Sequence, residues 1–126
     1  MSFDWTLYIE LAEKLFNNYC HSNLREAYLR TSLSRLYYGA FGISRNFLDK
    51  QGIIIQMIDT HKFVREKYIN SSNKIEQEIG NNLRRLWKER KVADYDNNAS
   101  IDLKRAETAY HLSLRTFEKL RNIGAV

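Results

Sequence analysis

Proline is absent from the 126 residues of this chain, and only five are glycine. Without proline, nothing in the sequence removes a backbone donor or forces a kink. With so few glycines, tight turns and left-handed backbone are scarce, so the composition points to long uninterrupted helices. Cysteine occurs once, at Cys20, which excludes an internal disulfide and fits a reducing compartment. No apolar run approaches the roughly 18 residues that a membrane span needs. The opening stretch MSFDWTLYIELAEKLF carries acids early and lacks the basic start of a secretory signal. The expectation is a cytoplasmic chain. Its three histidines are scattered and form no metal-ligand cluster. No glycine-rich phosphate loop or dinucleotide fingerprint is present, so neither metal nor cofactor is expected.

Positive charge is in excess. Twenty Lys and Arg against fifteen Asp and Glu leave +5 at neutral pH, with a pI near 9.4. That balance suits an anionic partner such as nucleic acid, or simply sets solubility. The length is that of one domain, residues 1–126, large enough to bury a core without a disulfide or metal.

The periodicity predicts an all-α, antiparallel bundle of about five helices. The first, 4–18, turns Trp5, Tyr8, Ala12, Leu15 and Tyr19 to one face. Asn23 with Glu26 forms a capping-box pattern for a second, 24–49, which Gly52 ends. Asp59 or Thr60 starts a third in DTHKFVREKYI. Asn73 with Glu76 starts a fourth, whose inward stripe is Ile75, Ile79, Leu83 and Leu86. DYDNNAS reads as loop. Ser100 then caps a fifth, with Leu103, Ala106, Tyr110, Phe117 and Leu120 inward. The β-branched run GIIIQMI reads as a short apolar connection rather than a strand.

The second helix carries the most information. Stepping about 100° per residue, Leu29, Leu33, Leu36, Tyr37, Ala40, Ile43 and Phe47 form the apolar arc. Tyr28, Thr31, Arg35, Tyr38, Gly42 and Arg45 form the opposite stripe. Tyrosine and arginine suit phosphate and base contacts and equally a protein interface. Tyr28, Arg35, Tyr38 and Gly42 are therefore expected at a self-association face, and Arg35 and Arg45 at RNA. Arg30 falls on the apolar side and calls for a carboxylate from another helix. Further on, Arg84, Arg85, Lys88 and Lys91 gather around Trp87 and suit a phosphate backbone or a solvated basic face.

The segment EAYLRTSLSRLYYGAFGISRNFL resembles the helix bearing the Ser-Arg-x-Tyr-Tyr-Ala-x-Phe signature of one branch of the HEPN superfamily. Ser34, Arg35, Tyr37, Tyr38 and Phe41 match it, and Gly39 stands in the alanine position. THKFVREKYI is similar to that branch's histidine-led third helix, and LRRLWKERKVADYD to its Arg-x-x-Ala-Asp-Tyr segment. The resemblance covers nearly the whole chain. It implies a helical bundle that often dimerises, and either a metal-independent endoribonuclease of toxin–antitoxin or antiviral defence systems or a noncatalytic partner of a nucleotidyltransferase. The superfamily's nuclease motif is an arginine followed, four to six residues on, by histidine. Arg90 stands at the arginine position, but Asp94 and Tyr95 occupy the histidine's region. Arg90 with Asp94 reads as an ion pair ordering the loop, or as a modified catalytic pair in which Tyr95 or a distant histidine such as His61 carries the proton. His61 by itself reads as a packing or capping histidine. The literal match RAETAYH, Arg105 to His111, sets its two side chains about 120° apart on a regular helix and reads as chance.

Overall fold

Arg25–Lys50, free of proline, forms a helix of 26 residues against which every other helix packs. The computed structural model describes residues 3–18 and 24–126. In chain order it contains α1 (Thr6–Asn17), α2 (Arg25–Lys50), α3 (Thr60–Ile69), α4 (Lys74–Tyr95) and α5 (Leu103–Asn122). No strand occurs among the described residues, and no helix there is long and apolar enough to cross a membrane. The expected inward Tyr19, the Asn23 cap, Cys20 and His21 lie outside the described residues.

Side-chain pairings give the helix directions. Ser32 of α2 donates to the Ala12 carbonyl of α1, while Trp5 covers Gly42, so these two helices run antiparallel. Arg65 of α3 lies over Trp87 of α4, and Ile69 against Gly80. Glu89 and Glu78 of α4 meet Arg105 and Lys119 of α5. Both of those pairs are antiparallel as well. By contrast, α3 runs in the direction of α2: Tyr37 meets His61, and Ser44 meets Tyr68. The connection between them must therefore fold back along α2. In doing so it buries Ile53 and Ile55 partly and leaves Ile54, Met57 and Ile58 at 89%, 81% and 77% exposure.

The core forms where these helices meet α2. Leu29, Leu33, Leu36, Tyr37, Ala40 and Ile43 are buried as the periodicity predicts, with Phe47 partly so. Ile79, Leu83 and Leu86 of α4 join them, but Ile75 is on the surface, because the first turn of α4 extends past the facing helices. Tyr37 and Tyr68 are fully buried. Each keeps a hydrogen-bond partner for its hydroxyl, as burial of a phenol requires.

The helix ends follow local chemistry in part: Asp59 precedes α3 as expected but its side chain makes no capping bond, and two further ends depart from expectation. Asn73 accepts from the Glu76 N–H at 3.0 Å. Its own N–H donates to Ser71, whose hydroxyl donates to the Glu76 carboxylate, so serine completes the capping box. Gly52, at φ +84°, ends α2 with paired bonds from Gly52 and Ile53 back to the Asp49 and Leu48 carbonyls. The first departure is at α5, where Asp102 rather than Ser100 is the cap, accepting from the Arg105 N–H at 2.8 Å. The second is at α4, which continues through Asp94 and Tyr95 instead of releasing them to a loop. Arg30 explains the extension. Its guanidinium donates to the Val92, Ala93 and Ala99 carbonyls at 3.2, 3.0 and 2.6 Å, satisfying acceptors that a helix C-terminus otherwise leaves orphaned. The inter-helix carboxylate expected for Arg30 is replaced by these carbonyls and by Glu26 of its own helix, at 2.9 Å.

Gly80 marks a close crossing of α4 with α3. A Cβ there would lie 2.6 Å from the Ile69 backbone nitrogen. In an open helix interior, Gly→Ala gains about 1 kcal/mol. Here the overlap with backbone reverses the sign, and Gly80→Ala is expected to lose about 1–2 kcal/mol in urea unfolding. A more stable variant would contradict the tight crossing.

Candidate functional site

Four i,i+3 and i,i+4 relationships bring one cluster together. Ser34 and Tyr38 share a face of α2, His61 and Arg65 share a face of α3, and Trp87, Arg90 and Asp94 share a face of α4. The antiparallel packing of α4 on α2 and α3 turns these three faces towards one another.

His61 is held firmly. Its ring stacks on Phe41 at 4.2 Å between centroids and lies nearly parallel to Tyr37. The Tyr37 hydroxyl pairs with its Nδ1 at 2.6 Å. Nε2 makes no hydrogen bond among the described residues; it can accept a proton in the tautomer whose Nδ1–H donates to the Tyr37 oxygen. The turn that presents the ring is unusual. Asp59, which precedes α3, has φ +54°, a conformation that is costly for any residue with a Cβ. The Thr60 hydroxyl holds that turn through the Gln56 and Met57 carbonyls.

Burial pushes the His61 pKa below its ordinary 6.5, and the positive charges of Arg90 and Arg65 push it further. The imidazole is neutral at pH 7. Burial likewise raises the Tyr37 pKa well above the usual tyrosine range, which keeps its hydroxyl protonated. Because folding depresses the His61 pKa, the neutral ring's contribution to stability is complete above about 6.5 and is lost as pH falls through the lower folded value. The melting temperature is expected to fall between pH 7 and about 5, and to fall less in His61→Asn. An identical fall in both proteins would remove His61 as the source.

Arg65 and Arg90 bring their charges to this ring, and a third guanidinium, Arg35, joins the cluster through Tyr38. Arg35 lies 4.7 Å from the Tyr8 ring centre and 5.3 Å from that of Tyr38. Arg90 lies 5.1 Å from Tyr38 and 5.2 Å from Tyr95. Arg65 and Lys91 both sit 4.3 Å from the Trp87 ring. One carboxylate lies among them. Asp94 Oδ2 is 2.9 Å from Arg90 Nε, yet that N–H is not directed along a hydrogen bond, so the contact is one of charge. Asp94 also accepts from Ser34, which in turn accepts from Arg35. A short relay thus joins Arg35, Ser34, Asp94 and Arg90 across α2 and α4. Arg35 Nε, Arg65 Nη1 and Arg90 Nε are buried N–H groups without an acceptor. Such groups favour a ligand that brings acceptor oxygens.

The residues singled out from sequence fall into three groups. Arg35, Tyr38, His61, Arg90 and Asp94 converge. Tyr95 stands at the rim, 69% exposed, with its hydroxyl 3.4 Å from Arg90 Nη2. The others lie elsewhere. Tyr28 and Arg45 belong to α2 outside the cluster, and Gly42, expected between copies of the chain, is already covered by Trp5 of the same chain, whose indole occupies the space of a Cβ. The basic run on α4 divides. Lys91 faces Trp87, Arg84 donates to Asn81, and Arg85 and Lys88 line a groove against α5. Arg105 pairs with Glu89, and His111 is exposed beside the Tyr110 ring, so neither joins the site.

Arg65, Trp87, Ser34 and Phe41 were not anticipated as site residues. Arg65 follows His61 by one helical turn, a spacing visible in the sequence; its meeting with Trp87 depends on how α3 and α4 pair. No protein-family model matches the chain, and no curated protein matches it.

Proposed function

We propose that the Arg35–Arg65–Arg90 cluster binds the phosphate backbone of RNA and that the chain is a HEPN-type, RNA-directed component of a toxin–antitoxin or antiviral defence system, cleaving RNA without metal. The observation that carries this reading is the placement of the Arg65 and Arg90 guanidiniums beside one neutral histidine, with Arg35 joined to them through Tyr38 and a carboxylate paired with Arg90. Arginine N–H groups match phosphate oxygens in geometry and charge.

The chemistry follows from those placements. With Nδ1–H donating to the Tyr37 oxygen, His61 Nε2 takes the proton of a ribose 2′-OH as that oxygen attacks the adjacent phosphorus. Arg65 and Arg90 bind the non-bridging oxygens as negative charge builds on them. The bond to the 5′-oxygen breaks, and that oxygen takes a proton from water at the open rim, leaving a cyclic phosphate; the hydroxide left behind takes the proton from the His61 imidazolium. The test is an RNase assay with and without EDTA. Cleavage that persists in EDTA and is lost in Arg90→Ala supports the proposal, whereas no cleavage of any RNA by the wild type would sink it.

A second reading rests on Asp94. Its charge contact with Arg90 occupies the arginine that the proposal assigns to phosphate, which suits a catalytically silent module that binds a nucleotidyltransferase or another partner, or a second copy of itself, through Tyr28, Arg35 and Tyr38. Asp94→Asn separates the two. Under the RNA reading it raises RNA affinity roughly fivefold, the equivalent of about 1 kcal/mol of relieved pairing, and steepens the salt dependence of binding. Under the silent-module reading it leaves RNA binding unchanged.

A further inference from the structure

The arginine cluster uses only one flank of α4. On the other flank, α4 and α5 part around a groove of about 280 Å³. Its lining is mainly apolar, formed by the aliphatic stems of Arg85, Lys88 and Arg105 and by Thr108 over the buried Ala109 and Leu112. Arg85 and Lys88 stand at its mouth, exposed, and neither takes part in an ion pair among the described residues. Arg105 crosses the groove to Glu89 at 2.7 Å. Three cations against one carboxylate leave the groove positive.

Size and lining together restrict the ligand. The volume lies at the small end of the range for small-molecule sites, roughly 300 Å³ and upward, and is too confined for a polymer backbone. An apolar lining below a cationic mouth fits a molecule with a flat hydrophobic body and one anionic end. A purely ionic ligand would leave the apolar lining uncovered, and a purely apolar one would strip water from Arg85 and Lys88 without replacing it. We propose that the α4–α5 groove is a binding site for a small amphipathic anion, an aromatic ring carrying one carboxylate or phosphate monoester. The ring lies on the apolar lining, and the anion meets Arg85 and Lys88. The site is independent of the RNA reading, since it shares no residue with the Arg35–Arg65–Arg90 cluster.

Titration of the full chain with four probes, followed by calorimetry and NMR shifts, tests the site: 2-naphthoate, 2-naphthyl phosphate, 2-naphthol and inorganic phosphate. The two ring anions are expected to bind saturably, each about tenfold or more tighter than naphthol or inorganic phosphate alone. The carboxylate and phosphate arms show which head group is preferred. Arg85→Ala with Lys88→Ala is expected to weaken binding about tenfold. Thr108→Trp, a substitution at an exposed lining position that alters no charge, fills the groove and is expected to abolish binding. Arg65→Ala, on the opposite flank, is expected to leave it unchanged. Absence of saturable binding by both ring anions overturns the proposal. So does binding that survives Thr108→Trp, or binding that Arg65→Ala removes, since either places the anion elsewhere.

Discussion

His61→Asn is expected to lower RNA cleavage about 100- to 10,000-fold, the range associated with loss of a general base, while RNA affinity changes little. The separation arises because the guanidiniums, not the imidazole, hold the phosphate. Asparagine keeps a polar planar group near the Tyr37 hydroxyl but accepts no proton at neutral pH. The pH profile adds a second test. A base must be neutral to act, so activity rises with pH through the His61 pKa, and burial with the charges of Arg90 and Arg65 sets that value below 6.5. The acidic limb of the wild-type profile is therefore expected below the ordinary histidine range. Arg65→Ala removes one of the depressing charges and moves the limb to higher pH. A limb that stays in place in Arg65→Ala would detach His61 from the reaction even if His61→Asn were inactive.

Arg30→Met is expected to destabilise the fold by about 2–4 kcal/mol, because charge-assisted bonds to backbone contribute about 1.5–3 kcal/mol each and are only partly replaced by water here. Arg30 is the one side chain among those described that grips both the end of α4 and the segment after it, through Val92, Ala93 and Ala99. Methionine retains the apolar stem and removes the donors. The loss reaches the candidate site as well. Asp94 and Tyr95 occupy the last turn of α4, so fraying there releases the Asp94 contacts to Arg90 and Ser34. Faster hydrogen exchange confined to residues 92–99 would accompany the lower melting temperature. Unchanged stability would show that water serves those carbonyls equally well.

Most helix-forming information lies in local chemistry and was legible from sequence. Asn73 and Glu76 cap α4 as their spacing predicts, Gly52 ends α2, and the apolar arc of α2 is buried from Leu29 to Ile43. These features depend on period and on side chains acting within a turn of their own position. The errors share an opposite cause. Asp94 and Tyr95 read as loop because asparagine and aspartate favour turns, yet a residue 62 positions earlier in the chain, Arg30, holds Val92 in helix. Gly42 read as an open contact face because nothing local shows that Trp5 crosses it. Ile75 fits the stripe of α4 but extends beyond the helices that would cover it.

The candidate site divides in the same way. Arg35, Tyr38, Arg90 and Asp94 were visible as individual residues, because charge and aromaticity on one helical face are properties of composition and period. Only the tertiary structure placed His61 and Arg65 beside them. A histidine at the head of a short helix has many possible neighbours. It meets Tyr37 and Phe41 here because the α2–α3 connection folds back and sets α3 parallel to α2. By itself, the sequence determined an all-helical chain with a basic surface and a tyrosine–arginine stripe. The tertiary structure alone decided that Arg65 and Arg90 stand beside one neutral histidine, with Arg35 linked through Tyr38, because electrostatic coupling depends on distance through space, and the separation of residues along the chain does not determine that distance.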